Sequence, residues 1–216
     1  DQMLYNSNFA VPHRLVASLS YSFQNTTIGM YYNGSHQGRY SFYYNGDINK
    51  DGISSDLIYL PKSVDEVNFV NAVDKSGKVL FSIDEQKKAY TEFINNNGLT
   101  KYQGKYLERN EFLTPWLNRI DVRLTQNIFN NLVKKGDKFQ FTVDVINLGN
   151  LINKDWGVQK TLVSQGTNFL TVVDNKTDKP TFNMNSVSGA LVKDVTRNVS
   201  NVSTTWSAVL GFRYTF

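Results

Sequence analysis

From Trp206 to the end of the chain, apolar side chains fall at every even position (Trp206, Ala208, Leu210, Phe212, Tyr214, Phe216), while Ser207, Gly211, Arg213 and Thr215 take odd ones. Successive side chains of a β-strand point to opposite faces, so this segment predicts a strand with one apolar face and one that carries charge. The pattern recurs. Leu15, Ala17, Leu19, Tyr21 and Phe23 oppose Arg14, Ser18, Ser20 and Ser22; Ile120, Val122 and Leu124 oppose Arg119, Asp121, Arg123 and Thr125; Phe139, Phe141, Val143 and Val145 oppose Gln140, Thr142 and Asp144. Alternation alone fits a half-buried strand of a soluble sandwich, or a membrane strand of about 9 to 11 residues with lipid on one side and water on the other. Aromatic residues near the strand ends, among them Tyr21, Trp116, Phe129, Phe139, Trp206 and Phe216, favour the membrane, where rings settle at both interfaces.

The connections alternate in length. Residues 24–26 make a tight turn and 130–137, with Gly136, a compact one, whereas a long connection separates Tyr44 from Trp116. Short turns on one rim and long loops on the other are the topology of an outer-membrane barrel with its short side in the periplasm. Strands are expected at 14–23, 27–44, 116–128, 138–147, 158–173, 180–187 and 204–216, which puts the C-terminus in the periplasm and the long loops outside the cell. The count is odd, and bacterial barrels of this kind close with an even number, so these strands read as part of a larger barrel whose edges find partners outside this sequence. The expected division is barrel strands at 1–45, an extracellular insertion at 46–114 and C-terminal barrel strands at 115–216.

Within the insertion the alternation stops. Ser63-Val64-Asp65-Glu66 and Ser82-Ile83-Asp84-Glu85 are both Ser-x-x-Glu capping boxes, in which the Ser oxygen and the Glu carboxylate satisfy free N–H groups at a helix start. Ile83, Ala89, Tyr90, Phe93 and Ile94 then form a helical stripe that ends at Asn95-Asn96-Asn97-Gly98, predicting a small ordered insertion containing helices.

Upstream lies Asp47-Ile48-Asn49-Lys50-Asp51-Gly52-Ile53-Ser54-Ser55-Asp56. Oxygen ligands at loop positions 1, 3 and 5 with Gly at 6 open a calcium loop, in which Asp47, Asn49, Asp51, the Ile53 carbonyl and Asp56 would surround Ca2+. Position 12 is Ile58, so Asp56 must supply the closing carboxylate; an Asx-rich turn without an ion is the alternative.

Bulk properties narrow the function classes. Only 40% of the 216 residues are hydrophobic, as expected where each spanning strand gives half its positions to water, and 12 Tyr and 14 Phe supply ring belts. A net charge of +4, dispersed, does not suggest nucleic acid, and with no cysteine the chain has neither disulfides nor redox motifs. No apolar run is long enough for a spanning helix, and no signal peptide opens the sequence, which for an exported protein puts the true N-terminus elsewhere. His13 and His36 lack metal-ligand spacing and no Ser, His and acid grouping stands out, so an enzyme is not expected. Arg119, Asp121, Arg123, Asp144 and Arg213 are expected to pair across strands inside a lumen.

Several segments resemble a known family. Tyr106-Leu107-Glu108-Arg109-Asn110, Pro115-Trp116-Leu117-Asn118-Arg119-Ile120-Asp121-Val122-Arg123-Leu124-Thr125-Gln126, Asp144-Val145-Ile146-Asn147-Leu148-Gly149-Asn150-Leu151-Ile152-Asn153-Lys154-Asp155-Trp156-Gly157, the start Val11-Pro12-His13-Arg14 and the loop running into Asp56-Leu57-Ile58-Tyr59-Leu60-Pro61 are similar to late barrel strands of Bacteroidota TonB-dependent receptors, most like the Oar-like branch with its carboxypeptidase-regulatory-like domain. The resemblance implies an all-β fold: the C-terminal seven or so antiparallel strands of a transmembrane barrel of about 22, with a plugged lumen and a partly helical extracellular insertion. It also implies substrate uptake across the outer membrane. The implied partners are outer-membrane lipid, the N-terminal barrel and plug outside this sequence, the inner-membrane TonB complex reached through that part, and a surface lipoprotein. A surface assembly or adhesion barrel without transport, and a self-contained barrel of eight strands, are the other readings.

Overall fold

A computed structural model of the chain describes residues 4–131, 133–177, 179–202 and 204–216. It is mostly β and divides into two units. The sheet unit comprises Val11–Gln37, Pro115–Lys160 and Asn198–Phe216; the insert unit comprises Asp1–Ala10, Gly38–Thr114 and Thr161–Arg197.

The alternating segments of the sheet unit form five strands: β1 (Arg14–Phe23), β2 (Thr26–His36), β3 (Trp116–Asn130), β4 (Lys138–Ile146) and β5 (Ser207–Thr215). They pair antiparallel in one open sheet, in the order β1-β2-β3-β4-β5, so β1 and β5 are its edges. The β1–β2 turn and the β3–β4 turn lie at one end of the sheet. At the other end β2 finishes beside the start of β3, where His36 pairs with Trp116, and β4 finishes beside the start of β5, where Ile146 pairs with Ser207. Both long connections therefore leave from the same end, as the alternation of short and long loops requires.

Seven strands were expected and five join the sheet. The segments at 158–173 and 180–187 instead contribute to short two-stranded ribbons, of which Leu170–Asp174 with Thr181–Met184 is the longest. Their alternation is real, but Leu170, Phe182 and Met184 bury into the core of the insert unit. A period of two reports that one face is covered without saying by what. The second strand likewise ends at His36, because Phe42 and Tyr44 belong to that core. The insert unit thus takes in Gly38–Thr114 together with Asp1–Ala10 and Thr161–Arg197, both from parts assigned to barrel strands.

The insert unit packs around aromatic rings. Phe169 lies 4.5 Å from Phe93 and 5.7 Å from Phe42, and Phe42 meets Phe112 edge to face at 4.7 Å. Its main helix, α1 (Ile83–Asn96), starts at Ser82, whose side chain accepts from the Glu85 N–H while the Glu85 carboxylate accepts from the Ser82 backbone. Tyr90, Phe93 and Ile94 of the expected stripe are buried; Ile83 in the first turn stays exposed. The second box, Ser63 with Glu66, caps a single 3-10 turn.

Gln86 is fully buried on the same face of α1. Its side-chain amide is completely used: Nε2 donates to the Val70, Phe81 and Ser82 carbonyls, and Oε1 accepts from the Met184 N–H at 2.9 Å. A polar residue four positions before Tyr90 belongs to the helical stripe by spacing but not by polarity, so a hydrophobic pattern passes over it.

Candidate functional site

The register assembles the alternating residues into one continuous apolar surface. Rows run across all five strands: Leu19, Met30, Val122, Val145 and Ala208; and Tyr21, Ile28, Leu124, Val143 and Leu210. Leu19 is 64% exposed, Leu210 63% and Phe212 69%. Every hydrophobic residue in the buried core lies in the insert unit, and among the described residues none lies in the sheet unit. A contiguous apolar face left open across five strands marks a surface built for a partner or a membrane.

Aromatic residues frame this face at both ends. Phe23, Phe129, Phe139, Tyr214 and Phe216 gather at the end with the short turns; His36 and Trp116 stack edge to face at 5.1 Å at the other, with His13 6.0 Å from His36. Trp116 belongs to a shallow cavity of about 400 Å3 that also takes in Tyr32, Asn118 and Trp156. The Tyr32 hydroxyl and the Trp116 Nε1–H both donate to Asn118 Oδ1, at 2.7 and 3.0 Å. Gly34 makes the arrangement feasible, because a Cβ there would stand 2.3 Å from the Tyr32 hydroxyl and 2.7 Å from the Trp116 ring.

The opposite face carries the charges, alongside Val16, Tyr31 and Val209. Arg123 on β3 forks onto Asp144 on β4, with Nε and Nη2 donating to the two carboxylate oxygens at 2.5 and 2.7 Å. Arg119 pairs with Asp121 of its own strand at 3.3 Å, and Asp121 also accepts from the Asn147 N–H at 2.7 Å. Of the five charged residues expected to pair, Arg123 and Asp144 do so across strands, Arg119 and Asp121 along one, and Arg213 faces Gln140 on the exposed edge strand.

After β4 the segment that carried the family resemblance turns sharply. Asn147 takes a left-handed conformation and is buried, with Nδ2 donating to the Gly157 and Thr204 carbonyls at 3.0 and 3.1 Å. A short helix, α2 (Leu148–Ile152), follows, and Asn150 reaches the Lys154 and Trp156 carbonyls while accepting from the Trp206 N–H that leads into β5. The Asn147 amide leaves no room for a Cβ at Gly157, whose φ is +62°.

In the insert unit the loop expected to hold calcium is an Asx ladder. Asp47 accepts from the Lys50 and Gly52 N–H groups, Asn49 Oδ1 from Asp51 N–H, Asp51 from Ile53 N–H and Asp56 from Ile48 N–H. Asn49, Asp51 and Asp56 converge, with Asn49 Nδ2 donating to Asp51 at 3.1 Å and to Asp56 at 2.8 Å; Asp47 turns to the backbone instead. Here an amide stands between two carboxylates. A hard cation would need those hydrogen bonds to open and the freed oxygens to turn inward. Among the described residues no three His, Asp or Glu side chains are grouped to hold a metal ion.

Comparison with protein-family models, curated proteins and solved structures gives no match. Among the described residues no helix is long and apolar enough to cross a membrane, which says nothing of strands.

Proposed function

We propose that the sheet unit is a stretch of the wall of a transmembrane β-barrel in the bacterial outer membrane, and that the protein acts as a TonB-dependent receptor taking a substrate through that barrel. The observation that carries the reading is the contrast between the units. The insert unit buries a complete aromatic core, while the sheet unit leaves an apolar face open across all five strands, opposite a face bearing the Arg123–Asp144 pair. Lipid on one face and water on the other satisfy both. The ring belts at the two ends fit the two interfaces.

The open edges extend the argument. Unpaired N–H and C=O groups of β1 and β5 are untenable in hydrocarbon, so further strands complete the wall. Uptake itself rests on the family resemblance. A surface assembly or adhesion barrel would use the same wall, and energy dependence separates the two. The test has two parts. Nitroxide labels at 210 and 213 in bilayers should report lipid at 210 and water at 213. In cells, collapse of the proton gradient should stop substrate accumulation; accumulation unaffected by it would remove the TonB-dependent part and leave the barrel.

A further inference from the structure

Two adjoining cavities open on the insert unit, one of about 950 Å3 and one of about 320 Å3, with Tyr5 contributing to both. Tyr59 and Tyr106 stand in the larger. They face one another across the ribbon of Tyr59–Leu60 with Lys105–Tyr106, rings edge to face at 5.2 Å, so backbone pairing fixes the position of both. Tyr106 is 65% exposed, although the same unit buries Phe42 and Phe93 completely. Rings held rigid and left open supply flat contact area at little entropic cost to whatever binds.

The polar groups between the rings narrow the ligand. The larger cavity is lined by Asp56, Glu108 and Lys105 and the smaller by Arg109, so acids and bases balance. A phosphate would want an excess of cations, and a basic peptide an excess of acids. Beyond the tyrosines, apolar lining is limited to Ile48 and Leu57, too little to seat apolar peptide side chains. Asp56 is already oriented by the Ile48 N–H and the Asn49 amide. Fixed tyrosine faces beside oriented carboxylate and amide groups match a ligand that alternates flat C–H surfaces with hydroxyls. Cavity volumes up to about 1,000 Å3 suit ligands of a few rings.

We propose that this groove binds a neutral oligosaccharide, a sugar ring lying on Tyr106 with its hydroxyls donating to Asp56 and Glu108. The inference rests on the insert unit alone and holds or fails independently of membrane insertion. The whole chain, purified in detergent, would be applied to an array of neutral and acidic oligosaccharides, and the retained neutral sugars titrated by calorimetry. Expected is saturable binding of a neutral oligosaccharide that weakens about tenfold or more in Tyr106→Ala and in Tyr5→Ala, and is unchanged in Tyr21→Ala on the sheet. Both groove residues are solvent-exposed, and circular dichroism of each variant checks that the fold is kept. No saturable binding across the neutral members, a preference for acidic ones, or affinity unaffected by both groove substitutions would overturn the proposal.

Discussion

Phe129 stands opposite Phe139 with ring centroids 6.5 Å apart, although strict alternation from Leu124 would carry it to the polar face. A β-bulge makes the difference: Gln140 pairs with Asn127 and Phe139 with Phe129, leaving Ile128 as the extra residue. Deleting Ile128 closes the bulge and should leave Phe129 opposite Phe139 on the apolar side, now in a regular ladder. With Trp in place of Phe129 and the three native Trp replaced by Phe, brominated lipid should quench fluorescence both with Ile128 and without it; quenching lost in the deletion would overturn the bulge.

Leu210 lies midway along β5 in the apolar row of Val143 and Leu124. Leu210→Arg should destabilise the inserted protein by about 2 to 4 kcal/mol, the penalty of a midplane cation facing lipid, whereas Thr215→Lys should be nearly neutral. Urea unfolding in detergent or lipid reads both. Gly211 is a poor probe of the opposite face, since any Cβ there meets Thr142 Oγ1 at 2.5 Å.

Replacing Gln86 with Leu keeps the volume but strands the Met184 N–H inside the core. A loss of about 1 to 3 kcal/mol is expected, confined to the insert unit. Phe93→Ala, a cavity beneath Phe169, should cost about 3 to 5 kcal/mol there. Thermal unfolding followed by near-ultraviolet dichroism would rank them.

The start of α1 should respond to acid. The Ser82 backbone N–H and hydroxyl donate to Glu85, each at 2.8 Å, and hold its carboxyl below the ordinary glutamate value of 4.5. The Lys87 ammonium, 2.7 Å from Asp65, likewise holds that carboxyl below 3.8. Because both folded values are lowered, the stabilisation is complete above the ordinary values and fades as pH falls through the lowered ones. Cα chemical shifts of residues 82–86 should therefore lose helical character on acidification below about pH 4 while those near Phe93 hold.

Calcium should tighten the loop from Asp47 to Asp56 if Asn49, Asp51 and Asp56 exchange their mutual hydrogen bonds for an ion. Expected is slower amide exchange at 47–56 with calcium, reversed by chelator and absent in Asp51→Ala. Equal exchange under both conditions would leave the loop as the Asx ladder alone.

The five sheet strands, both capping boxes and the end of α1 were legible in the sequence because each is written in local spacing: a period of two, a Ser-x-x-Glu, an Asn run before Gly98. What covers a strand is not local. Leu170, Phe182 and Met184 alternate as Leu210 and Phe212 do, yet the first three close a core with Phe69 and Tyr90. The bulge at Ile128 and the buried Gln86 were also illegible, one a single inserted residue within a regular pattern, the other a polar side chain on an apolar stripe. The roles of Asn147, Asn150 and Gly157 sat inside a recognisable segment, but only the turn they build gives the physical reason for those residue types: a left-handed backbone, two carbonyls to bridge and a space without a Cβ.

β2 and β3 are immediate neighbours in the sheet although residues 37–115 separate them in sequence. The insert draws its own ends together: Arg39–Tyr40 pairs with Phe112–Leu113, and the Thr114 N–H donates to the Gly38 carbonyl at 3.1 Å. With the insert folded, this long loop is the equivalent of a tight hairpin, its closure entropy offset by the insert's own aromatic core. The β1–β2 and β3–β4 pairings are local in sequence, whereas the β2–β3 pairing spans an insert with its own core of Phe42, Phe93 and Phe169.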